Sequence, residues 1–237
     1  MATVVLVRHA RSTANASGVL TGRLKGVHLD DTGRTQAERA GQRLASVPLA
    51  ALVSSPLERC KETARALAAE QPGPGPVKIT TERGLVECDY GDWQGRPLKE
   101  LAREKLWKVV QSHPASVTFP AGEAMAAMSA RAVAAVRRHD ALVEAEHGPQ
   151  AVWAAVTHGD LVKAILADAL GLHLDQFQRL HVDPSSMSVI RYAPDAAYVL
   201  QSNSHEGDLG WLAPTSRRKA PRTGVVGGGA GPSGSAP

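Results

Sequence analysis

The chain has 237 residues, 43% of them hydrophobic, and a formal net charge of +4, long enough to bury one large α/β domain or two small ones. No apolar run approaches the roughly 20 residues that cross a bilayer, and two cysteines, Cys60 and Cys88, are too few for a disulfide framework. The excess positive charge resides in Arg217, Arg218, Lys219 and Arg222 of a carboxylate-free stretch beginning at Ala213, which leaves the rest formally neutral, without the basic, aromatic-interleaved face of a nucleic-acid binder.

The N-terminus enters a strand without a secretory signal, so a soluble cytoplasmic protein is expected, with no membrane and no nucleic-acid partner. Residues 1–212 read as the folded domain. The Gly/Pro/Ser-rich basic tail, 213–237, cannot bury enough apolar surface to fold and is expected to be disordered. Cys60 and Cys88 are expected to pack rather than react, and no spaced Cys/His pairs signal a structural metal.

Val4 to Val7 reads as a buried strand that runs directly into Arg8-His9, and open α/β sheets place ligands at strand C-termini. Flanking arginines, Arg8 and Arg11, disfavour an imidazolium and favour a neutral, nucleophilic His9. A long polar loop from Ala10 to about Asp31 follows, with Thr21, Gly22, Arg23 and Lys25 suited to closing over an anion. Asp31 or Thr32 caps a helix to about Ser46. Leu49–Ser54 is a second strand, ending in Ser55-Pro56-Leu57-Glu58, a capping box with Pro in the first helical position. Arg59 thereby stands at a helix N-terminus, where amide N–H groups and a guanidinium together suit an anion.

After Gln71–Pro76, strand-like Val77–Thr80 leads to Glu87-Cys88-Asp89-Tyr90-Gly91-Asp92-Trp93. Here Glu87 is a candidate general acid, its pKa raised by a nearby anion, with Tyr90 and Trp93 walling a pocket. One helix is expected over Pro97–Gln111 and another over Glu123–His147, ended by Gly148. This middle section shows no obvious chemistry and reads as a wall that sets substrate choice. Ala151–Val156 is a further buried strand, running into Thr157-His158-Gly159-Asp160 and a helix over Leu161–Leu170. Ser186–Tyr192 and Ala197–Asn203 predict a closing hairpin and so an antiparallel edge. His205 is placed at the rim of the crevice.

At Leu6–Asn15, Ser54–Ala64, Leu85–Gly95 and Val156–Gly159, in that order, the sequence resembles the histidine phosphatase superfamily in its phosphoglycerate-mutase-like branch, over about residues 3 to 205. The resemblance implies a three-layer α/β/α sandwich with a mostly parallel sheet. It also implies a nucleophile at His9, a proton donor at Glu87, and a phosphoryl pocket of Arg8, Arg59 and an imidazolium at His158. Asn15 and the Thr21-Gly22 backbone would assist. The usual Gly after the nucleophile is Ala10 here, a departure that could constrain the backbone.

The implied reaction is hydrolysis of a small phosphorylated metabolite without metal or cofactor. A phosphomutase, which must hold a bisphosphorylated intermediate, is the alternative, and the segment between Glu87 and His158 offers no obvious extra pair of cations for it. A metallohydrolase is disfavoured because Arg8 and Arg59 would repel a cation. A non-catalytic binding module would use the tail as its anchor. Oligomeric state, a homodimer included, is left open.

Overall fold

The computed structural model describes residues 2–73, 77–205 and 227. Its strands are β1 (Thr3–Arg8), β2 (Ala51–Ser54), β3 (Ile79–Thr81), β4 (Val152–Thr157), β5 (Met187–Tyr192) and β6 (Ala197–Ser204), joined in one sheet in the order β3-β2-β4-β1-β5-β6. The first four run parallel, β5 is antiparallel to β1, and β6 returns beside it as the expected hairpin. Continuous apolar runs such as Val152–Val156 suit this setting, because a parallel strand between helical layers is buried on both faces.

One face of the sheet is covered by α2 (Asp31–Leu44) and α3 (Glu58–Ala69), whose Ala40, Leu44, Cys60, Ala64 and Leu67 meet Val5, Val7 and Leu52. The other face is covered by α6 (Met125–His147) and α7 (Gly159–Ala169) around Trp153, Ile165 and Val136. The result is the expected three-layer α/β/α sandwich with a mostly parallel sheet. Two short helices, α4 (Leu98–Leu101) and α5 (Lys105–Ser112), replace the single helix expected over 97–111. The chain turns at Ala102–Glu104, which lets Leu101 and Val110 both enter the core while Trp107 stacks on Trp93 at 6.0 Å. The long N-terminal loop holds a further short helix, α1 (Thr13–Ser17). The domain boundary at 212 and the disorder expected of 213–237 lie outside the described residues, Gly227 apart. No helix among the described residues is long and apolar enough to cross a membrane.

The capping box at Ser55 does not form. α3 begins at Glu58 with Leu57 in the capping position and no side-chain cap, because the Ser55 hydroxyl pairs instead with His158. At the start of α2 the cap is Asp30 rather than Asp31 or Thr32, accepting from the Gly33 N–H at 2.7 Å. A Cβ on Gly33 would lie 1.8 Å from the Arg11 carbonyl oxygen, so α2 abuts the chain just past His9. Gly33→Ala is therefore expected to cost about 1–3 kcal/mol by overpacking, read as a lowered urea midpoint at unchanged m-value; an unchanged midpoint would mean that this contact is not made.

Candidate active site

The register of β1 with β4 pairs Arg8 with Thr157, so His9 and His158 leave adjacent strands at the same level. The His9 N–H donates to the Thr157 carbonyl at 2.8 Å, and the two imidazole rings stand 5.2 Å apart. β2 ends level with them, the Ser55 N–H donating to the Val156 carbonyl at 2.9 Å. Three strand ends thus converge, and α3, starting behind β2, swings Arg59 into the gap.

Arg59 organises what lies there. Its Nε–H donates to His9 Nε2 at 3.3 Å, and Nη2 donates to the Gly22 carbonyl at 2.8 Å and to His158 Nδ1 at 3.2 Å. Nη1 is buried and has no hydrogen-bond partner among the described residues. A guanidinium only donates, so both imidazole nitrogens that face it carry lone pairs. The other His9 nitrogen, Nδ1, lies 2.8 Å from the Ala10 carbonyl, which only accepts, so Nδ1 holds the ring proton. By the same count His158 donates from Nε2 to the Ser55 hydroxyl at 2.8 Å.

Electrostatics agree with this tautomer assignment. His9 is held well below the ordinary histidine value by burial and then by Arg59 and Arg8. His158 is lowered likewise, by burial first and then by Arg59 and His9. Both shifts favour the neutral rings that the hydrogen bonds require. The expected pairing of Arg11 with His9 is corrected, because Arg11 turns away to Asp30 at 2.8 Å and Arg59 takes its place. Arg8 is buried behind the site, donating from Nη1 to the Val182 carbonyl at 2.8 Å. Burial brings it down to about 10, against the attraction of Asp183, Glu87 and Asp160, and it remains charged at neutral pH.

Glu87 approaches from the opposite side, its Oε2 3.8 Å from His158 Nδ1 and its Oε1 accepting from the Cys88 N–H at 2.9 Å. Burial first, and the neighbouring Asp160 charge second, raise it to about 7. No bound anion is needed, contrary to the cause expected from sequence. The segment that carries it is pinned by partners the sequence did not reveal. The Thr157 hydroxyl donates to the Leu85 carbonyl, and Arg131 of α6 donates to the carbonyls of Gly84, Val86 and Glu87. Arg131 is itself held by Glu123, so the middle section does carry part of the site.

The remaining candidates divide. Gly22 reaches the site through its carbonyl on Arg59; its φ of +51° favours glycine, and a Cβ there would lie 2.3 Å from Gln94 Oε1 and displace that side chain. Thr21 precedes it in the same loop, accepting the Leu24 N–H. Asn15 spends its carboxamide oxygen on the Ser12 N–H and hydroxyl in capping α1, so only its amide nitrogen is left for an anion. Ala10 adopts no positive φ, and its N–H donates to the Thr63 hydroxyl, so the departure from glycine brings no backbone strain. Tyr90 and Trp93 do not wall an open pocket: both are buried, packed edge-to-face on Phe119, and the Tyr90 hydroxyl donates to Asp160. Cys60 and Cys88 are buried free thiols; desolvation pushes Cys60 up to about 12 and Cys88 upward as well, the environment of inert cysteines. His205 stands 3.8 Å from Asp183. Among the described residues no cluster of His, Cys, Asp or Glu is spaced to hold a metal ion.

This constellation can be set beside known proteins. The model of the histidine phosphatase superfamily (branch 1) matches residues 4–205. The chain belongs to that superfamily. It is 32% identical over 168 residues to the phosphoglycerate mutase-like protein 4 of Arabidopsis thaliana, covering 69% of each chain. To phosphoserine phosphatase 1 of Hydrogenobacter thermophilus it is 29% identical over 206 residues, or 86% of this chain and 92% of that one. Among solved structures, Bacillus stearothermophilus YhfR superposes with a TM-score of 0.77 over 87% of this chain and 98% of its own, at 24% identity, which speaks for the fold. The chain's relatives thus include proteins named as a phosphatase and as phosphoglycerate mutase-like.

Glu87 also leaves a signature in stability. Below about 4.5, its ordinary value, the carboxyl is neutral folded and unfolded; between there and about 7 only the unfolded chain ionises, so stability falls with rising pH and levels off above 7. Glu87→Gln, which cannot ionise, is expected to gain on wild type across that window, by on the order of 2–3 kcal/mol. The check is the difference in Tm between the two proteins from pH 5 to 8.5 in phosphate-free buffer; a flat difference would exclude a raised carboxyl.

Proposed function

We propose that this chain is a metal-independent phosphatase that hydrolyses a phosphomonoester through a phosphohistidine on His9. The observation that carries the reading is Arg59: a buried guanidinium bonded to two neutral imidazoles, with its Nη1 donor left over. A phosphoryl dianion would supply acceptors for that donor and for the N–H groups now resting on the two rings. Arg8 brings the second cation, and a bound dianion would draw a proton onto His158.

In the first half-reaction the His9 Nε2 lone pair forms a bond to phosphorus in line with the ester oxygen, which departs with the Glu87 proton. The cationic side chains stabilise the charge spread over the three equatorial oxygens. Glu87, now a carboxylate, takes a proton from water as the water oxygen attacks phosphorus. The nitrogen–phosphorus bond breaks, phosphate is released and Glu87 is reprotonated. The fixed Nδ1–H of His9 keeps the attacking nitrogen unprotonated throughout.

Hydrolysis is favoured over phosphoryl exchange between hydroxyls by the state of the surrounding arginines. Arg23 pairs with Glu123 at 2.9 Å and Asp89 at 3.5 Å, Arg131 pairs with Glu123, and Arg96 pairs with Glu104. Each already holds a carboxylate, whereas a mutase needs further cations to hold the second phosphate of its intermediate. The substrate is accordingly a small molecule bearing one phosphate.

The test is phosphate release with product-isomer analysis in excess chelator, on substrates from p-nitrophenyl phosphate to 3-phosphoglycerate, for wild type and His9→Ala. Phosphate release that resists chelation and falls by at least about a thousandfold in His9→Ala is expected, on the scale of losing a nucleophile. Full activity in the variant, or phosphoglycerate interconversion faster than hydrolysis, would overturn the reading. Arg59→Ala is expected to lose both kcat and substrate binding, by about 100-fold or more in kcat/KM; a change in KM alone would deny Arg59 a part in the transition state.

A further inference from the structure

Two arginines from distant parts of the chain meet on one carbonyl. The Glu87 carbonyl oxygen accepts from Arg23 Nε at 2.9 Å and from Arg131 Nη2 at 3.1 Å, and like charges converging on one acceptor repel unless a counter-charge stands between them. Glu123 is that counter-charge. Its Oε2 accepts from Nη2 of both arginines at 2.9 Å, and its Oε1 accepts from Arg131 Nε at 2.7 Å, a two-pronged grip on the guanidinium. The same residue holds Asp89 at both backbone ends: Oε2 accepts the Asp89 N–H at 3.2 Å, and the Glu123 N–H donates to the Asp89 carbonyl at 2.8 Å. The Glu123 side chain is only 15% exposed, so these pairs escape much of the screening that weakens a surface ion pair.

We propose that Glu123, acting through Arg131, is a positioning residue for the proton donor: its carboxylate lets two guanidiniums share the Glu87 carbonyl, and the clamp so formed fixes the backbone from which the Glu87 carboxyl reaches the leaving oxygen. The proposal rests on Glu87 acting as the acid. Glu87 lies in a stretch without regular structure, so no helix or ladder sets its backbone. Arg131 supplies what a ladder would, donating also to the carbonyls of Gly84 at 2.8 Å and Val86 at 2.7 Å. On the other side, Arg23 directly follows Gly22, whose carbonyl accepts from Arg59. The clamp therefore ties the backbone of the acid to the loop that supports the phosphoryl-binding guanidinium, and donor and phosphorus keep a common frame. Proton transfer needs both partners within hydrogen-bond reach, and a displacement of about 1 Å can cost about a hundredfold in rate. Among the described residues neither Glu123 nor Arg131 hydrogen-bonds to His9, Arg59 or His158, so the phosphoryl pocket itself is held by other groups.

The experiment measures kcat/KM on an alkyl phosphate, whose leaving oxygen needs the proton, and on p-nitrophenyl phosphate, whose leaving oxygen does not. Wild type, Glu123→Gln, Glu123→Asp, Arg131→Gln and Glu87→Gln are compared, with thermal melting to check that each is folded. Because kcat/KM covers only the steps up to departure of the leaving group, the ratio between the two substrates isolates Glu87 as donor from its later part as base. In Glu123→Gln, which keeps the shape and loses the charge, and in Arg131→Gln, the alkyl phosphate value is expected to fall by about 10- to 100-fold while the p-nitrophenyl phosphate value stays within about threefold of wild type. A role in stability alone would lower the two together or neither. Glu123→Asp, which keeps the charge on a shorter stem, is expected to lie between. An equal loss on both substrates, an unchanged ratio in folded variants, or failure of all three Glu123 and Arg131 variants to fold overturns the proposal while leaving Glu87 as the acid. Full alkyl phosphate activity in Glu87→Gln would instead overturn the mechanism on which it rests.

Discussion

A buried arginine without a carboxylate partner is the constraint around which this molecule is built. Removing a guanidinium from water is costly unless its charge is answered, and among the described residues the hydrogen bonds of Arg59 all go to dipoles: two imidazoles and the Gly22 carbonyl. The surrounding structure must therefore be stiff enough to hold an arrangement that is incomplete without an anion. Thr63 shows how this is done, one hydroxyl donating to the Arg59 carbonyl and accepting the Ala10 N–H, so that the helix bearing the cation and the turn bearing the nucleophile are stitched together. Stability given up at such a site is recovered elsewhere, here in the apolar layers on both faces of the sheet.

The acid follows the same logic with the opposite sign. Glu87 belongs to a segment with no regular structure, and irregular backbone near a buried site must find partners for its carbonyls. Arg131, Arg23 and Thr157 provide them, and the network continues through Glu123 to the Asp89 N–H. These arginines spend their charge on structure. Arg8 and Arg59, by contrast, are the buried cations at the converging strand ends.

Much of this was legible in the sequence where a local pattern coincided with a tertiary role. His9 and His158 stand after apolar runs that can only be inner strands, and Arg59 stands where a helix must begin. Ser55 misled for the same reason: Ser-x-x-Glu with an intervening proline is a sound local signal, but His158, one hundred residues away in sequence, makes the better partner and takes the hydroxyl. Arg131 and Asp160 on helices, and Glu123 just before one, carry no local signal at all, since a charged residue in such a place is ordinarily solvated and only packing reveals which ones turn inward. Tyr90 and Trp93 erred in the other direction, for aromatic residues in a glycine-rich loop suggest a pocket wall until the loop is seen to pack them into the main core beside Phe119. Glu87 can be read as a candidate acid from its loop, but one carboxylate among several there has little local to distinguish it, and the family resemblance is what singles it out.

The pairing of Arg8 with Thr157 across β1 and β4 also bears on how the sequence can drift. Side chains alternate along a strand, so a single residue inserted or deleted in either strand would turn one histidine away from the other and move the apolar set to the wrong layer. Length is therefore frozen in these two strands even where chemistry is not, since valine and isoleucine exchange freely in a core of this kind. The turns beyond the strand ends have no such phase to keep. Variation in length among descendants of this chain should gather in the connections around the crevice, where it can reshape what is bound without disturbing the atoms that react.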